Sequence, residues 1–285
     1  MNITRLVSRS QTFSRSLSTV RKPLSRGEGV LFPSSRIPHT QPQTVIGTTQ
    51  HRFLTSSAPS LLHQHSHSSD GANCCSDRFN LALQKNKEWA DKVSKEQPDL
   101  FPRLAVGQSP EILWIGCSDS RCPETSLLGL NPGDVFVHRN IANILHAGDL
   151  SSGAVIEYAV RHLRVNHVVL CGHTSCGGVA AAMGNKQLGI LDPWLLPLRQ
   201  IRQRNLSLLQ TLSPDEAMLK MVELNVQEGV DILKQKSVVL EAMQERGLQV
   251  HALIYDVGSG VLRELNTDET EESIKARLVS FKTDV

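Results

Sequence analysis

Two short stretches carry the residues best able to do chemistry. Cys117, Ser118, Asp119, Ser120 and Arg121 follow the apolar run Ile112–Ile115, which brings a thiol, a carboxylate and a guanidinium within one turn of chain. Cys171, Gly172, His173, Thr174, Ser175, Cys176, Gly177 and Gly178 follow a second apolar run, Val168–Leu170. Runs of this length and β-branched content read as buried strands. In open α/β sheets, ligands bind outside the carboxyl ends of the strands. If the two strands are parallel neighbours, Cys117, His173 and Cys176 converge on one point. Two thiolates, one imidazole and an open fourth position describe a catalytic zinc site, whereas structural sites are closed by four ligands.

Zinc in such a site lowers the pKa of water from 15.7 to roughly 7 when three neutral imidazoles hold it. Two thiolates offset more of the metal's charge, so a weaker effect and a higher working pH are expected. Asp119 is close enough to accept a hydrogen bond from the resulting nucleophile, or to swing onto the metal as a fourth ligand. Arg121 is placed to hold Asp119 back through a charge-assisted, bidentate contact. The pair reads as a gate.

Other readings of the same residues are weaker. Cys171 would complete a closed structural set of three cysteines and one histidine. A redox centre calls for Cys-x-x-Cys, which the chain lacks. A cysteine nucleophile with His173 as base leaves Cys176, Asp119 and Arg121 without a role. Six cysteines in 285 residues with no secretory signal do not form a disulfide framework, and Cys171 reads as a small buried apolar residue.

The elements that must position these groups alternate between strand and helix, the pattern of parallel βαβ units. Phe79–Ala90 has helical spacing, Pro98 and Pro102 break the next segment, and Gly107-Gln108-Ser109-Pro110 turns into the first strand. A short helix over 123–128, a strand over 135–138, a crossing at Arg139–Asn143, a helix over 154–163 and a strand over 165–170 follow. Gly177-Gly178 opens a further helix. Ser213-Pro214-Asp215-Glu216 is a capping box with Pro at the first helical position. That helix and its successor end near Arg246-Gly247. Residues 251–255 and 261–265 read as a hairpin, and 268–281 as a last helix. The folded part, residues 75–285, is expected to be one α/β domain with a mostly parallel sheet flanked by helices.

Residues 1–70 differ in composition. Residues 1–69 hold eight of the 30 basic residues and one of the 28 acids, leaving 22 bases against 27 acids in the rest of the chain. An Arg- and Ser-rich, acid-poor start is that of an organellar transit peptide. Arg15-Ser16-Leu17-Ser18 and Arg52-Phe53-Leu54 resemble mitochondrial cleavage signals, so a mitochondrial matrix location is expected, with a disordered cytosolic tail as the alternative. His63, His65 and His67 read as linker. The acidic folded part, with no basic patch interleaved with aromatics, argues against nucleic-acid partners. No apolar stretch approaches the ~18 residues of a membrane span.

Cys-Ser-Asp-Ser-Arg at 117–121, followed by His-x-x-Cys-Gly-Gly at 173–178, resembles the signature of the β-class carbonic anhydrases. The resemblance runs from about residue 79 through Phe136–Asn143, Gly153–Val160, Asp192–Leu196 and Glu223–Val226. It implies a zinc lyase, one Zn2+ per subunit, that hydrates CO2 reversibly to bicarbonate and a proton, built as an obligate homodimer. It makes Cys117, His173 and Cys176 the metal ligands and Asp119 and Arg121 the catalytic dyad. Gln108, Phe136 and Tyr158 match substrate-pocket positions. Trp114, Arg139 and Tyr158 match an inhibitory bicarbonate site of regulated, type II-like members, with core packing as the alternative. Cys122 stands where an apolar residue is usual. Hydrolysis of carbonyl sulfide or carbon disulfide on the same fold, and a non-catalytic zinc-stabilised binding protein, are the competing functions.

Overall fold

The computed structural model describes residues 77–282. The expected transit peptide at 1–70 and its cleavage signals lie outside the described residues. Five strands form one sheet: β1 (Ile112–Cys117), β2 (Val135–Asn140), β3 (His167–His173), β4 (Gln249–Tyr255) and β5 (Leu262–Glu264). Their order is β2-β1-β3-β4-β5, with β1 to β4 parallel and β5 antiparallel to β4. The hairpin expected at 251–265 is therefore present, but its first strand also extends the parallel sheet.

Side chains alternate across a strand, so each face carries its own set. One face presents Leu113, Ile115, Cys117, Val168, Leu170, Ala252 and Ile254 to the main core. The helix Pro214–Gln235 packs there through Met221, Val222, Val226 and Val230. Its start is the expected capping box, Ser213 with Glu216 and Pro214 at the first position. A side chain at Gly172 of β3 would meet Val226 Cγ2 at 2.7 Å and Val222 Cγ1 at 3.0 Å. The missing side chain is what lets this helix lie so close to the sheet. The opposite face carries a smaller cluster of Trp114, Cys122, Val169, Cys171 and Tyr255.

Several boundaries differ from those read off the sequence. The helix expected from 154 begins at Leu150, capped by the Asp149 carboxylate, which accepts from the Ser151 and Ser152 N–H groups. Its last turn, Tyr158–His162, is a π-helix. The third strand starts at His167 and continues to His173, so the histidine is delivered by the strand end itself. The final helix spans Glu271–Phe281 behind a Thr270 cap. Its basic residues, Lys275 and Arg277, sit mid-helix and not in the last turn. The first helix, Arg78–Glu96, is amphipathic as expected yet buries none of its residues, and Phe79, Leu83 and Trp89 face outward.

Candidate metal centre

β1 ends on Cys117, β3 ends on His173, and Cys176 follows three residues later, just before the helix Gly177–Met183. Because β1 and β3 are parallel neighbours, both chain ends open at the same edge. All three residues are buried, and their ligand atoms lie within 4.8 Å of one another. Tetrahedral zinc with bonds of about 2.0–2.3 Å sets its ligand atoms roughly 3.5–3.8 Å apart. The three atoms are thus close to the spacing a single ion requires.

The histidine tautomer fits this role. His173 Nδ1 donates to the Thr174 carbonyl at 2.9 Å, leaving Nε2 as the lone-pair nitrogen. That Nε2 is buried and makes no hydrogen bond among the described residues. An orphaned buried acceptor beside two thiols is what a metal would satisfy. Thr174 is held in turn: its N–H donates to the Tyr255 carbonyl at 2.9 Å, and its hydroxyl donates to Asp256 Oδ1 at 3.0 Å. The Val257 N–H donates back to that hydroxyl at 3.0 Å.

Cys117 Sγ accepts from the Ala142 N–H at 3.4 Å. The nearby backbone N–H groups of Asp119 for Cys117, and of Gly178 and Val179 for Cys176, favour the thiolate form. The two thiols share their ionisation. Hydrogen bonding to Cys176 leads in drawing Cys117 down to about 4 against the opposing effect of burial, with His173 and the backbone donors adding to it. The same contact, with burial and the Cys117 charge, pushes Cys176 up. Burial alone would lower His173, but the Cys117 thiolate outweighs it and raises the imidazole.

Asp119 is held away from the three ligands. Arg121 Nε donates to its Oδ1 at 2.9 Å and Nη2 to its Oδ2 at 2.7 Å, and the Arg121 N–H adds a third bond at 3.0 Å. These contacts keep the carboxyl well below the usual carboxylate range. Arg121 is braced by the Ser175 carbonyl at 3.1 Å. Asp119 Oδ2 nevertheless stands 3.8 Å from His173 Nε2, so a small rotation would carry it towards the metal position. Cys122 is buried beside this gate, its thiol pushed up to about 11 by burial and by the Asp119 and Cys117 charges.

The remaining expected residues are distributed differently. Gln108 precedes β1 at the far edge of the sheet, and β1 alone spans roughly 17 Å at about 3.3 Å per residue. Phe136 pairs with Leu113, four residues back from Cys117, and its ring stacks with Tyr158 at 5.7 Å. Within one chain, Gln108, Phe136 and Tyr158 therefore stand apart from the three ligands.

The set Trp114, Arg139 and Tyr158 is not brought together either. Trp114 and Arg139 share a face, because Trp114 registers with Val137 and Gly116 with Arg139. Tyr158 packs on Phe136, on the opposite face. The tyrosine clustered with Trp114 is Tyr255, at the end of β4. Arg139 clamps the gate loop, donating from Nε to the Cys117 carbonyl at 2.8 Å and from Nη2 to the Asp119 carbonyl at 2.5 Å. Cys171 also lies on the Trp114 face and donates to its own neighbour's carbonyl, so it does not join Cys117 as a further ligand. Sequence reasoning missed Thr174, Tyr255, Asp256 and Asn225, since nothing local marks residues that meet only through strand register.

The chain is similar to known proteins in the region that carries this centre. Residues 112–262 match the carbonic anhydrase family model. A carbonic anhydrase of Emericella nidulans is 44% identical over 188 residues, covering 65% of this chain and 82% of that protein. The crystal structure of the β-carbonic anhydrase CafA of Aspergillus fumigatus superposes with a TM-score of 0.72 at 74% identity, over 73% of this chain and all of that one. One of two tetrameric β-carbonic anhydrases of Sordaria macrospora superposes at 0.67 with 48% identity, over 68% of this chain and all of that one. This chain belongs to the β-class carbonic anhydrases.

Proposed function

We propose that the chain catalyses the reversible hydration of CO2 to bicarbonate and a proton at a zinc ion held by Cys117, His173 and Cys176. The orphaned, buried Nε2 of His173 facing two thiols carries this reading. When bound, zinc would supply the Lewis acidity that makes water a nucleophile towards the carbon of CO2. Asp119 would accept a hydrogen bond from the attacking water, and Arg121 keeps that carboxylate ionised and turned from the three ligands. Initial rates of CO2 hydration by stopped flow, on the full chain before and after zinc chelation, test the reading. Hydrolysis of carbonyl sulfide or carbon disulfide in the same samples, without CO2 hydration, would replace it.

The finer parts of the reading concern assembly, regulation and location. Gln108, Phe136 and Tyr158 form the substrate wall in this proposal, and their separation from the ligands of the same chain supports a homodimer in which a second copy supplies them. The outward apolar residues of Arg78–Glu96 agree with such a pairing. Bicarbonate regulation is assigned to Trp114 and Arg139 with Tyr255 in place of Tyr158, because these side chains share a face. Bicarbonate inhibition weakened by Trp114→Phe and Tyr255→Phe, and unaffected by Tyr158→Phe, tests that assignment. A mitochondrial location rests on the basic, Ser-rich residues 1–69, and one relative, from Arabidopsis thaliana, is a mitochondrial β carbonic anhydrase at 28% identity.

A further inference from the structure

One buried polar side chain of the main core has no part in the reaction as derived so far. Asn225 lies on the inner face of Pro214–Gln235 among Met221, Val222 and Val226. Burying an amide among apolar side chains costs free energy unless its hydrogen bonds are made inside. Asn225 Nδ2 donates to the Ala142 carbonyl at 2.9 Å, across 83 residues of sequence.

Ala142 is itself unusual. It is fully buried with φ 60 and ψ 26, a left-handed conformation that an alanine rarely adopts because its Cβ crowds the backbone. The strained residue has one evident product. It turns the Ala142 N–H towards Cys117 Sγ, 3.4 Å away. Strained backbone of this kind persists only where the surroundings over-determine it. Asn225 is in place to do that, because the close seating of its helix over Gly172 fixes the height of the amide above the sheet.

We propose that Asn225 is a positioning residue of the metal centre: its amide holds Ala142 left-handed, and so aims the Ala142 N–H at the Cys117 sulfur. The proposal deepens the zinc reading and rests on it. The N–H draws electron density from the thiolate and limits its motion, which acts on metal retention and on the sulfur-to-metal charge-transfer energy. Asn225 touches neither ligand nor substrate. It acts through one residue, Ala142, whose carbonyl it holds and whose N–H meets the sulfur.

The test uses the full-length protein with zinc, and with cobalt(II) exchanged for zinc as a spectroscopic probe. Asn225→Ala is expected to lower metal affinity about tenfold or more, within the 10–100-fold range of outer-shell partners. The sulfur-to-cobalt charge-transfer band should shift to longer wavelength as the thiolate loses its donor. Adding Ala142→Gly is expected to restore both readouts, at least in part, since glycine adopts φ near +60 without the Cβ crowding that opposes it in alanine. Lost packing alone would not be rescued in this way. Asn225→Leu keeps the branched side-chain shape and replaces Asn225→Ala if that variant does not fold; it has no group to donate to the carbonyl, so the same shift and the same rescue are expected. An unchanged affinity and band in a folded Asn225 variant overturns the proposal, as does a defect that persists undiminished after Ala142→Gly. A wild-type protein that binds zinc tightly but does not hydrate CO2 would sink the functional reading and leave these metal-binding readouts to decide this one.

Discussion

Gly116→Ala probes how the sheet packing sets the metal centre. A Cβ at Gly116 would lie 2.5 Å from Trp114 Nε1 and 3.2 Å from Trp114 Cδ1, where ordinary contact begins at 3.4 Å. About 0.9 Å of separation must therefore be found. The indole has little room to provide it, because Trp114 is 2% exposed and belongs to the buried cluster with Cys122, Val169 and Cys171. The alternative is movement of β1 itself, and Cys117 is the next residue along. Overpacking of this kind costs about 1–3 kcal/mol. At ~2–4 °C per kcal/mol for a domain of this size, the melting temperature should fall by about 2–12 °C. Metal sites tolerate roughly ±0.2 Å in ligand distance, so even part of the displacement reaching Cys117 should weaken zinc binding. Thermal melts of the zinc-loaded protein, with chelator competition for the metal, measure both effects. Wild-type values in both would show that Trp114 does not press on Gly116, and that the strand is not held between indole and metal.

Cys117→Ala, His173→Ala and Cys176→Ala should each remove zinc and activity, and a variant retaining stoichiometric zinc by metal analysis would leave the ligand set. Asp119→Asn should keep zinc yet lose most CO2 hydration, because the gate lies outside the three ligands. The same variant gives a pH test with a definite sign. Asp119 is depressed in the fold, chiefly by Arg121, so its stabilisation is complete above the unfolded value of ~3.9 and is lost only as pH falls through the lower folded value. The difference in melting temperature between wild type and Asp119→Asn should thus stay constant from pH 8 to 5 and narrow only in stronger acid. A difference that shrinks near pH 6 would contradict the pairing. Zinc binding near pH 7 should release protons, because Cys176 holds its proton while Cys117 is ionised and both must bind as thiolates. Calorimetric titration in buffers of different ionisation enthalpy measures that release, and zero release would refute the shared ionisation. A fluorescent fusion of residues 1–69 should enter mitochondria, and a diffuse cytosolic signal would reject the presequence.

Much of this protein was legible along the chain. The runs Ile112–Ile115 and Val168–Leu170 announce strands, Gly177-Gly178 opens a helix and Ser213–Glu216 caps one, because each signal depends on neighbours within a few residues. The thiols and imidazole could be paired for the same reason. A strand delivers its last residue to a known edge, and parallel order places two such edges together. What lies on which face, and against which distant partner, could not be read this way. The resemblance pairs Tyr158 with Trp114, but the alternation of β1 and β2 and the stacking of Tyr158 on Phe136 set it on the opposite side, where only register could have placed it. Ala142 has no sequence mark of a left-handed residue; its conformation is held by contacts from elements far away in sequence. The tautomer of His173 likewise depends on Thr174, which is seated by Tyr255 and Asp256 some eighty residues later. Local propensity and period decide which elements form, while register and close packing decide which atoms meet, and the metal centre is made of atoms that meet.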